Sequence, residues 1–230
     1  MSDRLREIFS EIPARYERVN RVLTFGLDAV WRRAAANAAV AAGGSRFLDV
    51  CTGTGETAHL ITRRAAPGAL VVGADFTPPM MREGRRKRGR ERIAFVAAAA
   101  AALPFPDGAF DVVTISFATR NLNVSRADLL AAFREFRRVL RPGGVFLNLE
   151  TSRPPMRVVR EIFDFYARHA VGRAGRIMTG SADGYAYLSG TLRSFCGADE
   201  LAAVIAEAGF ASASFRRLSL GVVALHAATK

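Results

Sequence analysis

The 230-residue chain is half hydrophobic, which excludes an intrinsically disordered protein and suffices for one α/β domain with a full core. Its net charge of +12 is high and directs attention to anionic partners, either lipid head groups or nucleic acid. The two cysteines, Cys51 and Cys196, exclude a disulfide framework and read as buried, reduced thiols, and no His/Cys/carboxylate cluster has metal-ligand spacing.

In chain order, residues 1–42 read as a helical cap, with Phe9, Ile12, Tyr16, Val19 and Leu23 at helix spacing. Met1 to Glu11 is charged and lacks a signal-peptide core, and no apolar run reaches the span of a bilayer, which predicts a cytoplasmic protein. Strand-like runs then alternate with helical ones. The strands are expected at Arg46–Val50, Leu70–Ala74, Ile93–Val96, Asp111–Phe117 and Val145–Glu150, and the helices near Thr57–Arg64, Pro79–Arg88 and Ala127–Leu140. Such alternation predicts a parallel sheet covered on both faces, here over residues 43–150. Pro142-Gly143-Gly144 is a stop and turn before the last of these strands. Residues 151–197 read as a helical insertion, about Met156 to Gly172, followed by an irregular stretch. Residues 198–230 hold a helix from about Asp199 to Ala208 and two strands, Ser212–Leu218 and Val222–Ala228, which predict an antiparallel hairpin at the sheet edge with Gly221 in the turn.

Residues 48–56, Leu-Asp-Val-Cys-Thr-Gly-Thr-Gly-Glu, carry the chemistry. An apolar strand ends in Asp49, a turn of small residues follows, and a helix starts at Glu56. Gly53 and Gly55 let the backbone approach a ligand that a Cβ would push away. Twenty residues after Gly55, a second apolar run ends in Asp75, where a carboxylate can accept from both hydroxyls of a ribose. Together these features point to an adenosine cofactor. Gly53, Gly55 and Ala58 also satisfy a loose dinucleotide fingerprint, so NAD is a rival. Asp49 and Glu56 argue against it, because a pyrophosphate at a helix start wants amide N–H groups without competing anions. Both acids suit the sulfonium and ammonium groups of S-adenosylmethionine.

Much of the positive charge lies in one run, Arg82, Arg85, Arg86, Lys87, Arg88, Arg90 and Arg92. It reads as a solvated helix face and turn, with attraction to anionic lipid or nucleic acid as the sharper alternatives. It lacks interleaved aromatics, so base stacking is not suggested and nucleic acid is not favoured.

Several segments together resemble the UbiE/MenG-type ubiquinone and menaquinone C-methyltransferases, over nearly the whole chain. They are Ala14-Arg15-Tyr16 with Asn20, Thr24-Phe25-Gly26, Trp31-Arg32, the loop Asp49 to Glu56, and Ala102-Leu103-Pro104-Phe105-Pro106-Asp107 with Phe110-Asp111. Ile115-Ser116-Phe117-Ala118-Thr119-Arg120-Asn121 follows, then Arg138-Val139-Leu140-Arg141-Pro142-Gly143-Gly144, Glu150, Tyr185 with Arg193, and the ending Gly221 to His226. The resemblance implies a class I S-adenosylmethionine-dependent methyltransferase fold, a Rossmann-like seven-stranded sheet. It implies ring C-methylation of a polyprenylated quinol, demethylmenaquinol or its ubiquinone-pathway equivalent, with S-adenosylhomocysteine as the other product.

Carried onto this chain, Asp49, Thr52, Gly53 and Gly55 would hold the methionine end of the donor and Asp75 its ribose. Phe76, Ala99, Ala100 and Ser116 complete the expected donor site. Arg120 and Asn121 would face the quinol, and Tyr16 would close over the site. Arg120 is expected to stabilise a developing phenolate, since a guanidinium stays protonated. His169 is a candidate proton relay. Phe117, Tyr166 and Tyr185, with Phe163 and Phe165, are expected at the acceptor. The family usually has Asp or Asn where this chain has Ala99, two residues before a second usual acid, here Ala101, and glycine with an aliphatic residue at Ala118-Thr119. These departures keep two alternatives open: a small aromatic acceptor on the same fold, and a catalytically silent binding protein. A lipid-tailed acceptor implies visits to the inner face of a membrane, helped by the basic charge if its lipids are anionic. A homodimer is also left open.

Overall fold

The computed structural model describes residues 13–171 and 196–230. Within them a seven-stranded sheet has the order β3-β2-β1-β4-β5-β7-β6. The strands are β1 Arg46–Val50, β2 Leu70–Asp75, β3 Ile93–Ala97, β4 Phe110–Ser116, β5 Leu140–Thr151, β6 Ser212–Leu218 and β7 Val223–Thr229. The first five are parallel, and β7 runs antiparallel between β5 and β6. The chain reverses direction across the sheet between β1 and β4, where an open α/β sheet leaves a crevice beyond the carboxyl ends of its strands.

The central strands form because they are buried on both faces. Every residue of β4 is buried, and so is all of β1 after Arg46. Helix α1 (Pro13–Leu23) and α2 (Leu27–Ala41) precede β1, α3 (Glu56–Thr62) follows it, and α4 (Pro78–Arg86) follows β2. A short α5 (Thr119–Leu122) and a long α6 (Arg126–Val139) join β4 to β5, α7 (Arg157–Tyr166) leaves β5, and α8 (Ala198–Glu207) precedes β6. Ser125 caps α6, its hydroxyl accepting from the Asp128 N–H at 3.2 Å. The buried stripe of α6, Leu129, Phe133, Phe136 and Val139, packs Phe133 and Phe136 against Phe146 of β5 at ring separations of 5.4 and 5.5 Å.

Among the described residues the predicted helical cap is divided between α1 and α2. Phe25 and Gly26 break it with φ of 52° and 77°, a turn that the apolar periodicity runs straight through. The stop before β5 also sits differently. Helix α6 ends at Val139, Leu140 already pairs with Phe110, and the register shifts before Val145 pairs with Val112, so Pro142-Gly143-Gly144 forms an irregularity inside the strand. The edge hairpin is present, with Gly221 at φ 91° beside Ser219 and Leu220, both also at positive φ. Among the described residues no helix is long and apolar enough to cross a membrane.

Candidate active site

Two chambers open at the carboxyl ends of the strands and share a wall. The first encloses about 900 Å³ including its open mouth, and is lined by the β1 loop (Cys51, Thr52, Gly53, Thr54, Glu56), by Asp75, Phe76, Thr77 and Met80 after β2, and by Ser116, Phe117, Ala118 and Asn121 after β4. The second, about 970 Å³, lies between α1, α2 and α7. Leu23, Phe25, Trp31, Phe163, Tyr166 and Val222 make it apolar, and Arg120 and Thr151 add polar atoms. Asn20, Asp28, Arg32 and Phe117 line both. Among the described residues five non-glycines have positive φ, and four of them, Phe25, Cys51, Phe117 and Ser219, line these chambers. Such conformations cost about 1–3 kcal/mol each and concentrate at functional sites.

The β1 loop is held from below. Asp49 is buried, and its carboxylate accepts from the Thr52 hydroxyl at 2.6 Å and the Thr114 hydroxyl at 2.7 Å. Burial raises its pKa, with the two hydroxyls working against that shift. It organises the loop from beneath and is not among the residues lining the first chamber. Asp75 does line it. Its oxygens accept from the Gly53 N–H and the Thr77 N–H, each at 2.8 Å. The Thr77 side chain and the Phe76 N–H also donate to it. Its pKa is raised by burial, against these hydrogen bonds.

The glycines divide. A Cβ on Gly53 would meet Met80 Cε, a chamber atom, at 3.3 Å, whereas one on Gly55 would strike the Phe95 ring at 2.9 Å. Gly55 therefore serves core packing and Gly53 the chamber. Glu56 faces the chamber as an anion. Burial raises its pKa, but Arg90 at 2.6 Å and Lys87 at 3.4 Å outweigh this and hold it below the ordinary value. Arg90 is itself buried and also donates to the Gly55 carbonyl. Arg85 donates to the Phe95 carbonyl at 3.0 Å and Arg92 to the Thr62 carbonyl at 3.1 Å. Arg82, Arg85, Arg86, Arg88 and Arg92 are exposed, as the reading of a solvated face expects; Arg90, buried, and Lys87, half-buried, depart from it by pairing with Glu56 of the β1 loop. A pyrophosphate would meet Glu56 and Asp75 here, whereas the cationic, ribose-bearing S-adenosylmethionine fits them.

Consecutive residues after β4 enter different chambers. Asn121 lines the first and Arg120 the second, although both were expected at the acceptor. Arg120 is buried. Its Nη1 donates to Glu150 Oε1 at 2.8 Å and its backbone N–H to Glu150 Oε2 at 3.2 Å, while its Nε has no partner. Glu150, fully buried, also accepts from the Thr151 N–H at 2.8 Å and hydroxyl at 2.9 Å. Phe117 stands between the chambers, with the Arg32 guanidinium 5.0 Å above its ring and Trp31 6.0 Å away. Trp31 Nε1 donates to Ser219 Oγ at 2.9 Å, which ties the cap to the C-terminal hairpin.

The other expected site residues fall in three groups. Thr52, Phe76 and Ser116 line the first chamber, and Phe163 and Tyr166 the second, where the Tyr166 hydroxyl donates to the Leu23 carbonyl. His169 and Phe165 are exposed, their rings 4.6 Å apart, and line neither chamber. Phe165 lies on another side of α7 from Phe163 and Tyr166, and His169 falls in the π-helical turn Ala167–Val171 that follows the α-helix. Ala99 and Ala100 likewise line neither: they form a turn after β3 bridged from Ala99 to Ala102, and their side chains are short. The Tyr16 side chain and all of Tyr185 lie outside the described residues. The sequence reading missed Arg32, Asp28, Arg90 and the Glu150 pairing. Arg32 and Glu150 stood inside quoted segments, whereas nothing in the local pattern marks Arg90 apart from its basic neighbours.

Residues 1–230 match the ubiE/COQ5 methyltransferase family. The chain belongs to that family. Of its relatives, the demethylmenaquinone methyltransferase of Thermus thermophilus is 44% identical over 95% of this chain and 98% of its own. The ubiquinone/menaquinone biosynthesis C-methyltransferase UbiE of Shewanella oneidensis is 35% identical over 98% and 90%. Among solved structures, a SAM-dependent methyltransferase of Thermotoga maritima, described as a possible histamine N-methyltransferase, superposes with a TM-score of 0.68 at 18% identity, covering 97% of this chain and 98% of its own. That likeness bears on the fold, which is the class I methyltransferase sheet. The ubiE/COQ5 protein is accordingly an S-adenosylmethionine-dependent methyltransferase.

Proposed function

We infer that this protein transfers a methyl group from S-adenosylmethionine to a ring carbon of a quinol, with demethylmenaquinol as the preferred acceptor. The observation that carries the reading is the pair of chambers of opposite character meeting at Phe117: an acid-lined one suited to a sulfonium nucleoside and an aromatic one suited to a lipid-tailed ring. Asp75 would take the ribose hydroxyls, Phe76 the adenine face, and Arg32, whose Nε lacks a partner, the donor's carboxylate. Bound there, the donor supplies an electrophilic methyl group for in-line displacement. The residues must bring a ring carbon to about 3 Å from it and exclude water. The apolar wall of Trp31, Phe163 and Tyr166 performs the exclusion. Arg120 stabilises the oxygen that gains negative charge, and Glu150 fixes the guanidinium so that its unpartnered Nε is preorganised rather than recruited.

A lipid-tailed acceptor has to enter from a bilayer. Phe25, 82% exposed, and Leu27, 41% exposed, both line the second chamber, and they are the side chains that would meet lipid at its mouth. The +12 net charge would add attraction where the lipids are anionic. Co-sedimentation with anionic and neutral vesicles tests this; equal binding to both removes the electrostatic contribution, and binding to neither removes the membrane contact.

The test of the function is incubation with methyl-labelled donor and a panel of demethylated quinols, followed by mass spectrometry. Label on a ring carbon of a quinol is the expected product. Label on small aromatic phenols and on no quinol would favour the alternative acceptor, and absence of donor binding by calorimetry would favour a silent scaffold.

A further inference from the structure

A ring carbon of a quinol attacks well only when the neighbouring hydroxyl is losing its proton, and a free phenol titrates near 10. Arg120 can stabilise the resulting charge but cannot accept the proton. The reaction therefore needs an acceptor atom at the acceptor chamber, and the described side chains offer few. Tyr166 has its hydroxyl committed to the Leu23 carbonyl, and burial pushes its pKa up. Arg32 and Arg120 are cations. Glu150 already accepts four hydrogen bonds behind Arg120. His169 is outside. The remaining titratable group is Asp28, the one carboxylate among the described residues lining both chambers.

Asp28 is built for the task in three respects. It lies in the first turn of α2, immediately after the strained Phe25-Gly26 turn, so its position is set by backbone rather than by a flexible loop. Its Oδ1 is oriented by the Thr24 hydroxyl at 3.2 Å, with Arg21 Nε at 3.8 Å. Its Oδ2 has no hydrogen-bonding or charged partner among the described residues. The side chain is 13% exposed, shielded from bulk water yet joined to it for proton release. It shares the common wall with Phe117 and Arg32, the region a methyl group must cross between the two chambers.

We propose that Asp28 is the catalytic proton acceptor of the transfer, taking the proton of the acceptor hydroxyl adjacent to the ring carbon that is methylated. This rests on the quinol reading above. As the O–H bond breaks, its proton goes to Asp28 Oδ2 and its electron pair moves into the ring. The ring carbon forms the new C–CH3 bond while the S–CH3 pair returns to sulfur, which leaves as a neutral thioether. The ring is then a dienone with the new methyl group and a hydrogen on one carbon. That hydrogen departs to water as a proton, Asp28 returns its proton to the ring oxygen, and the quinol is restored. The net result is one methyl transferred and one proton released, with Asp28 unchanged.

The test compares wild type with Asp28→Asn, which keeps shape and removes the proton-accepting charge, and with Asp28→Glu, which keeps the charge and moves it. Donor affinity is read by calorimetry, turnover with demethylmenaquinol, and turnover with quinols made more acidic by ring fluorination. Asp28→Asn is expected to lower kcat about 100-fold or more, with donor Kd within threefold of wild type, and the deficit is expected to shrink as the acceptor hydroxyl becomes more acidic. Asp28→Glu is expected to recover part of the loss. A melting curve for each variant separates misfolding from chemistry, and the dependence on acceptor acidity is a signature that a merely structural role would not produce. A deficit of the same size on every acceptor, a donor Kd weakened in proportion to the lost turnover, or unchanged kcat in Asp28→Asn would each overturn the assignment while leaving the quinol reading in place. Wild type inactive on every quinol would instead sink that reading, and this inference with it.

Discussion

The two chambers are built on different principles. The donor side is a product of the sheet: its loop, acid and floor are the ends of β1, β2 and β4, fixed by strands buried on both faces and by backbone amides donating to Asp75. The acceptor side is assembled from pieces distant in sequence, with Trp31 of α2 reaching Ser219, Tyr166 of α7 reaching Leu23, and Arg120 reaching Glu150. On the proposed function, the first is the part that holds the donor, and the second is where one acceptor would be told from another. The contrast predicts that changes on the acceptor side alter turnover and acceptor KM while leaving donor affinity intact.

Four perturbations sharpen or break that contrast. The largest effect is expected from Glu150→Ala, which leaves the Arg120 guanidinium buried without its carboxylate. Unpairing a buried ion costs about 3–5 kcal/mol, seen as a large fall in melting temperature together with lost turnover; a melting curve like that of wild type would mean that Arg120 has another partner. Arg120→Lys keeps a cation beside Glu150 but removes the planar fork, so the fold should survive while kcat falls on the order of 100-fold. Retained kcat would reduce Arg120 to a structural ion pair. Phe163→Ala removes part of the aromatic wall. Phe163 is only half-buried, so its loss should cost about 1.4 kcal/mol, below the range for a fully buried aromatic, and acceptor KM should rise about tenfold; an equal change in donor Kd would show that the chambers are not separable. The smallest effect belongs to His169→Ala, where an exposed ring outside both chambers predicts kcat within twofold of wild type; a large loss would return His169 to the proton path.

A fifth prediction concerns the frame that both chambers share. His226 on β7 is buried, its Nε2 2.9 Å from the Ala198 carbonyl, and its pKa is lowered chiefly by burial. The folded state therefore holds it neutral. Below the unfolded pKa of about 6.5 the unfolded chain binds a proton that the fold resists, so stability is full above that pH and declines as pH falls through it. Melting temperature should drop between pH 7.5 and pH 5.5, and drop less in His226→Gln; parallel slopes for the two proteins would contradict this.

Much of the donor side was legible in the sequence because its signals are local. Strands buried on both faces read as continuous apolar runs, so β1 falls on its predicted bounds, and Asp75 closes β2 where the run ends. What was not legible depends on pairing across the fold. The Phe25-Gly26 break is invisible to a periodicity that continues through it, and Glu150 meets Arg120 only because β5 lies beside β4. Arg90 looked like one charge among many until its burial against Gly55 and Glu56 set it apart. Asp49 shows the limit of reading chemistry from residue type: the acid is present at the strand tip, but it is buried, outside the chamber lining, with one oxygen held by Thr52 and the other by Thr114.

The division of labour is tested most directly by calorimetric titration of S-adenosylmethionine into wild type, Asp75→Ala and Arg120→Lys, each shown by melting to be folded. The account predicts tight binding to wild type, a loss of about 100-fold or more in Asp75→Ala, where charge-assisted hydrogen bonds to the ribose disappear, and wild-type affinity in Arg120→Lys. Equal affinity in all three, or equal loss in both variants, would contradict it.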